Sequence, residues 1–251
     1  MRIIAVLNQK GGVGKTSTTV NLGAALSREG CRVLLLDLDP QAHLTYSLGI
    51  MAHKLPRAMS AVLMEECGLD EVAGDVAGLR VVPASVALAG TEIELAGAQE
   101  RETRLKNAVG KLTGYDFVLM DCPPNLGLLT LNAMTAAKEL LVPVQPEFLA
   151  LQSLGKLTET VSVMRSGWNP ELRISGIVLT RYQRTKKLNR EIRRNIQDYF
   201  GDVLLNTTIR ENVSLAEAPS FGQDIFTYKP DSNGAEDYQA LGRELLRRGA
   251  P

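Results

Sequence analysis

Three cysteines, two histidines and one tryptophan in 251 residues leave little material for several kinds of chemistry. Cys31, Cys67 and Cys122 are far apart and form no C-x-x-C pair. A zinc or iron–sulfur site within one chain is therefore not expected, and the thiols read as reduced cytosolic ones. Net charge is also missing: 28 basic residues meet 28 acidic ones, so no global basic field advertises nucleic acid. Any such affinity must come from a local patch. No apolar stretch reaches the ~18 residues that a membrane span needs. The N-terminus enters a strand pattern at once, without the charged and apolar regions of a signal peptide. The expectation is a soluble, cytoplasmic protein. Repeats and low-complexity linkers are absent too, so residues 1–251 are expected to form one domain, a length that single α/β domains reach.

A hydrophobic content of 45% excludes global disorder. Much of it lies in short, nearly all-apolar runs: Ile3–Leu7, Val33–Leu36, Phe117–Met120, Leu140–Val144 and Ile174–Leu179. Continuous rather than alternating hydrophobicity predicts strands buried on both faces, as in parallel sheets. Between and after them, helical spacing covers Thr16–Arg28, Glu92–Leu112, Leu126–Ala137, Leu149–Arg165, Leu188–Phe200 and Ala235–Arg247. This alternation predicts an α/β fold, a doubly wound, mostly parallel sheet with helices on both faces. Ligands of such sheets sit at the carboxyl ends of the strands, so the residues just after each apolar run carry the functional information.

After the first run comes Lys10-Gly11-Gly12-Val13-Gly14-Lys15-Thr16-Ser17. Gly14, Lys15 and Thr16 complete the pattern G-x-x-x-x-G-K-[ST], with Gln9 where its first glycine belongs. The glycines keep the loop free of side chains, so backbone N–H groups can turn onto phosphate oxygens. Lys15 supplies a point charge for the outer phosphates, Thr16 a hydroxyl for Mg²⁺, and the helix start its positive end. Lys10 is a second cation beside this cradle, costly unless polyanion is near.

After the second run stands Asp37-Leu38-Asp39-Pro40-Gln41, with two carboxylates directed to one side at a strand exit. After the third stands Asp121-Cys122-Pro123-Pro124-Asn125-Leu126-Gly127, in which Asp121 suits a Mg²⁺-holding carboxylate beside Thr16. Cys122 reads as a packing residue, because no histidine is adjacent in sequence to activate it. Between Arg181 and Arg194 seven basic residues (Arg181, Arg184, Lys186, Lys187, Arg190, Arg193 and Arg194) face one acid, Glu191. Arg190, Arg193, Arg194 and Gln197 share a helical face, with Leu188, Ile192, Ile196 and Tyr199 on the apolar one. A second basic cluster, Arg243, Arg247 and Arg248, lies near the C-terminus.

The motif KGGxGK[ST], the DxDPQ segment, the run DCPPxLGLLTxNAM and the stretch Ile209-Arg210-Glu211-Asn212-Val213-Ser214 through Ala218-Pro219-Ser220 together resemble the ParA/MinD family of ATPases with a deviant Walker A motif. The resemblance covers nearly the whole chain and is nearest to the short, chromosome-partition form without an appended DNA-binding domain. It implies ATP and Mg²⁺ as cofactors, bound by Lys10 to Ser17, Asp121, Ile209 and Arg210, with the metal near Thr16, Asp39 and Asp121. It implies catalysis by Lys10, Lys15 and Asp39: Asp39 orients the attacking water, and Lys10 reaches the phosphates bound by the partner subunit of an ATP-dependent homodimer. Asp37 would support the metal shell or the loop. The start of the 209–222 loop and the loop after Thr180 would lie near the adenine.

The resemblance further implies non-specific double-stranded DNA binding through Arg181, Arg184, Lys187, Arg190, Arg193 and Arg194. It also implies slow hydrolysis stimulated by a ParB-like centromere-binding protein, and nucleoid association in the ATP state. Where the family usually continues with Gly-Asn after DxDPQ, this chain has Ala42-His43, a departure that puts His43 beside the nucleotide. Where the family often carries a basic residue, it has Ser214. The alternative is a MinD-like or other cargo-positioning ATPase. A membrane-cycling version needs an amphipathic C-terminal anchor, and the tail Leu241–Pro251, with three leucines, no bulky aromatic and a Gly/Pro stop, is a poor one.

Overall fold

A computed structural model describes residues 1–249; Ala250 and Pro251, the end of the Gly/Pro stop, lie outside the described residues. Its strands are β1 (Arg2–Val6), β2 (Val33–Asp37), β3 (Gly74–Val76), β4 (Leu79–Val82), β5 (Phe117–Asp121), β6 (Glu139–Val144), β7 (Arg173–Tyr182) and β8 (Leu204–Arg210). They form one sheet in the order β3-β4-β2-β5-β1-β6-β7-β8. Every pairing is parallel except the β3–β4 hairpin, which turns through Ala77 and Gly78, both at positive φ.

The five apolar runs are all strands, and the four central ones explain their lack of alternation. Ile3 and Ala5 belong to the core on one face of the sheet, Ile4 and Val6 to the core on the other. Both sides of β1 are buried, so neither needs a polar residue. The helices are α1 (Lys15–Arg28), α2 (His43–Ser47), α3 (Met59–Leu63), α4 (Leu69–Val72), α5 (Ala87–Leu95), α6 (Arg104–Val109), α7 (Leu128–Ala136), α8 (Ala150–Gly167), α9 (Lys187–Phe200), α10 (Val213–Glu217), α11 (Ile225–Tyr228) and α12 (Asn233–Gly249).

One expected helix is two. Glu92–Leu112 breaks between α5 and α6, where Glu100 takes φ 52°. Asn132 of α7 holds the break, accepting the N–H of Leu105 at 3.1 Å and donating to the carbonyl of Arg101 at 2.7 Å. Tertiary hydrogen bonds here override a continuous helical pattern. The apolar face expected for α9 also needs correction: Ile192 and Ile196 are buried, but Leu188 and Tyr199 are exposed, and the third buried position is Asn189.

Candidate nucleotide site

The carboxyl ends of β1, β2, β5, β7 and β8 converge on one cleft of about 910 Å³, lined by Gly11 to Ser17, Asp39, His43, Thr180, Arg181 and the segment from Ile209 to Val213, among others. The phosphate loop forms its floor. Gly12 and Gly14 lie at φ 75° and 88°, in the left-handed region where a Cβ is penalised. Helix α1 then starts with no side-chain cap and no acidic residue in its first turn. Its first N–H groups are left for a ligand, and its positive end meets no competing carboxylate of its own. Thr180 Oγ1 donates to the carbonyl of Val13 at 2.8 Å, which ties the loop to the end of β7.

Lys15 is buried in this floor, and its ammonium donates to the carbonyl of Lys10 at 3.3 Å. Burial lowers its pKa, and the nearby acidic groups, Asp121 first, oppose that shift. Thr16 Oγ1 donates to Asp121 Oδ2 at 2.7 Å. Asp121 is fully buried, and burial followed by the charge of Asp37 holds its carboxyl well above the usual carboxylate range. These hard oxygen donors fit Mg²⁺, which takes few protein ligands and completes its shell with phosphate and water. Among the described residues there is no group of three or more His, Cys, Asp or Glu that could hold a metal.

Asp37 belongs to the loop rather than to the cleft. Its Oδ2 accepts both the N–H and the hydroxyl of Thr45, at 2.9 and 2.6 Å, and its Oδ1 accepts the N–H of Asp39. Burial pushes its pKa up to about 6 against those hydrogen bonds. Asp39 does line the cleft, its Oδ1 accepting the N–H of Gln41 at 2.9 Å. Ala42, which follows, is fully buried at φ 54°, a conformation that favours glycine. His43 lines the cleft as expected, and Ser214 is buried beside the N-cap Asn212.

Cys122 lies beneath, 1% exposed, and burial pushes its thiol far above the ordinary range. A thiol held protonated and covered does not react. Iodoacetamide on the native protein followed by peptide mass mapping is therefore expected to label Cys31 and Cys67, both partly exposed, and to reach Cys122 only after unfolding.

The remaining candidates separate. Ile209 and Arg210 line the cleft, but the Arg210 guanidinium is engaged by Asp237 at 2.7 Å and by Glu236 at 2.5 Å. Lys10 does not line the cleft of its own chain; its ammonium pairs with Glu147, at the loop before α8. Both side chains are close to half exposed, 44% and 45%, so the pair is of the kind that contributes about 0.2–1 kcal/mol and is easily exchanged.

The six basic candidates do not form one free strip. Arg181 sits in the cleft wall at φ 48°. Arg190 donates to the carbonyls of Arg184 and Thr185, both at 2.9 Å. Arg193 lies over the ring of Tyr182 and bonds the carbonyl of Asn206. Lys187 pairs with Glu191 at 3.7 Å. Arg184 and Arg194 are exposed. A helical-face count weighted these residues alike because it does not register bonds to the neighbouring loop and strand. The signals missed in the sequence were Glu147, in the loop between β6 and α8, and the bond from the Thr180 side chain to the phosphate loop, neither of which has a motif around it.

Comparison with known proteins agrees with this geometry. A family model described as AAA domain matches residues 1–174. The chain is 43% identical to the sporulation initiation inhibitor protein Soj of Bacillus subtilis (strain 168), over 99% of both chains. It is 41% identical to the chromosome partitioning protein ParA of Myxococcus xanthus, over 100% of this chain and 89% of that one. A solved structure named as cobyrinic acid a,c-diamide synthase of Mycobacterium smegmatis, with bound ATP analogue and magnesium, superposes with a TM-score of 0.86 at 37% identity, covering 98% of this chain and 95% of that one.

Proposed function

The chain belongs to the ParA family of chromosome-partitioning P-loop ATPases, and from that premise we propose that it is a DNA-partition ATPase that works as an ATP-sandwich dimer. The observation that carries the reading is the division of labour between the two lysines. Lys15 is buried in the phosphate floor, whereas Lys10 stands outside its own cleft on an exchangeable ion pair. A cation so placed serves a second copy's phosphates better than its own.

In this reading the loop amides from Gly11 to Ser17 and Lys15 bind and orient the phosphates. Thr16 and Asp121 would hold Mg²⁺, which would supply positive charge to offset that of the phosphates. Asp39 orients the attacking water, and Lys10 of the second copy adds positive charge where the transition state gathers negative charge. The Ile209–Arg210 end and the residues after Thr180 face the base. Hydrolysis is slow until a ParB-like centromere-binding protein stimulates it, and the ATP dimer, cytoplasmic otherwise, resides on the nucleoid.

DNA contact would rest on phosphates through the exposed side of α9 and the loop before it, and so be non-specific and salt-dependent. Arg184→Glu with Arg194→Glu is the cleaner test than changes at Arg190 or Arg193, which also hold the protein's own backbone. The double variant is expected to dimerise with ATP and to bind duplex DNA with a log–log salt slope smaller by about 2, since each neutralised phosphate contributes roughly 0.9. An unchanged slope in filter binding would remove this helix from the interface.

The seat of the C-terminal helix supports the partition reading over a membrane-cycling one. The apolar face of α12, with Leu241 and Leu245 fully buried, packs into this chain's own core against β8 and α1. No helix among the described residues is long and apolar enough to cross a membrane. Sedimentation with anionic liposomes and ATP is expected to leave the protein in the supernatant.

A further inference from the structure

Between the phosphate loop and α9 runs a line of polar contacts that nucleotide binding alone does not require. It begins at Lys10, whose N–H donates to Asn8 Oδ1 at 3.0 Å and whose ammonium pairs with Glu147. Asn8 in turn donates to the carbonyl of Pro143 at 2.7 Å, fixing the loop base to the end of β6. One residue before Glu147, the carbonyl of Pro146 accepts the side-chain amide of Asn189 at 3.1 Å. The same Asn189 accepts the N–H of Gln183 at 2.8 Å, in the loop that follows Arg181. A single amide on α9 thus grips both the segment that holds Lys10 and the loop that leads out of the cleft wall.

Packing does not explain this residue. Asn189 is 6% exposed and lies on the same stripe as Ile192 and Ile196, at i, i+3 and i+7, where an apolar side chain would continue the seam. A buried amide is costly unless its bonds are made, and when they are made it fixes one arrangement of its neighbours rather than several. Here those neighbours are the nucleotide side and the basic side of the molecule.

We propose that Asn189 is a positioning residue that transmits the state of Lys10 to the basic helix. The inference rests on the proposed function, from which it takes the transfer of Lys10 to a second copy's phosphates and DNA as the ligand of α9. Lys10 has two anionic partners that exclude one another, Glu147 of its own chain and those phosphates. When it leaves Glu147, the segment from Gln145 to Leu149 loses its tie to the loop, and Asn189 carries the change to α9 and Gln183. The bistable element is the ion pair, and both sites bias it.

The test has two readouts. The first needs no DNA: hydrogen exchange of the α9 amides with and without Mg²⁺ and a non-hydrolysable ATP analogue. The second is duplex-DNA affinity in ATP against ADP. Wild type is expected to change its α9 exchange with the analogue and to bind DNA more tightly in ATP. Asn189→Ala is expected to dimerise with the analogue and to keep its ADP-state DNA affinity within about twofold, yet lose that exchange change and at least about fivefold of the ATP-over-ADP ratio, the size of an ordinary coupling. Glu147→Gln frees Lys10 without touching α9, and is expected to move α9 exchange toward the ATP pattern without nucleotide; it also serves if Asn189→Ala does not fold. The proposal is overturned if Asn189→Ala keeps both wild-type responses, if it weakens DNA equally in ATP and ADP, or if Glu147→Gln leaves α9 unchanged. A wild type with no ATP-dependent DNA affinity counts instead against the partition reading, and α9 exchange then judges Asn189 alone.

Discussion

Lys15→Ala is expected to lose nucleotide affinity for ATP and ADP alike, with no change of fold. The ammonium lies in the phosphate floor, donating to the carbonyl of Lys10, and nothing else in the loop offers a full positive charge there. A hydrogen bond to a charged group contributes about 1.5–3 kcal/mol, so a shortfall of about 2–3 kcal/mol, roughly 30- to 150-fold in Kd, should follow. Titration calorimetry would read it directly. Thermal melting gives the control, because a ligand at 100 times its wild-type Kd stabilises by about 2.7 kcal/mol, and that should fall to about 0.3–0.9 kcal/mol while the ligand-free melting temperature stays close to wild type. A variant that binds nucleotide normally would place the phosphates elsewhere in the cleft.

Lys10→Ala should do the reverse. Its side chain lies outside the cleft and leans on Glu147, so its removal should leave each subunit's nucleotide Kd within about twofold of wild type, an error of only ~0.4 kcal/mol. What it should lose is the ATP-dependent dimer, seen by light scattering, and with it turnover. Removing one preorganised charge-stabilising donor costs about 10²–10³ in rate, and a cation supplied in trans can be worth more. If Lys10→Ala instead binds nucleotide as poorly as Lys15→Ala, the two lysines serve one cradle in one chain and the sandwich reading loses its footing.

These two lysines also show how far the sequence could be read. The loop, its flanking strand and helix, Asp39 and Asp121 were all legible, because phosphate binding demands backbone N–H groups, a cation and hard oxygens in fixed order along the chain. The central strands were legible for an equally local reason, burial on both faces. Strand β8 was not: its pattern is half exposed, and it is a strand because β7 offers it an edge. The hairpin of β3 and β4 was missed likewise, being short and turned through Ala77, an unusual residue at φ 49°.

The break between α5 and α6 depends on Asn132, and the seating of α9 on Asn189. Each is one amide with a partner far along the chain, 27 residues away for Asn132 and 43 for Asn189, a contact that no periodicity encodes. The same holds for the basic strip. Helical spacing put Arg190 and Arg193 on one face, but their bonds to backbone carbonyls and to the Tyr182 ring come from neighbouring elements.

The most direct test of the account is duplex-DNA retention by Asp39→Ala, measured with Mg²⁺ and either ATP or ADP across a salt series. Asp39 lines the cleft and accepts the N–H of Gln41, so its loss should stop water activation and leave the loop to hold ATP. The prediction is a persistent dimer that holds DNA in ATP and releases it in ADP, with affinity falling steeply as salt rises. DNA retention equal in both nucleotides, or none in either, would contradict the account, leaving an ATPase whose cargo is not DNA.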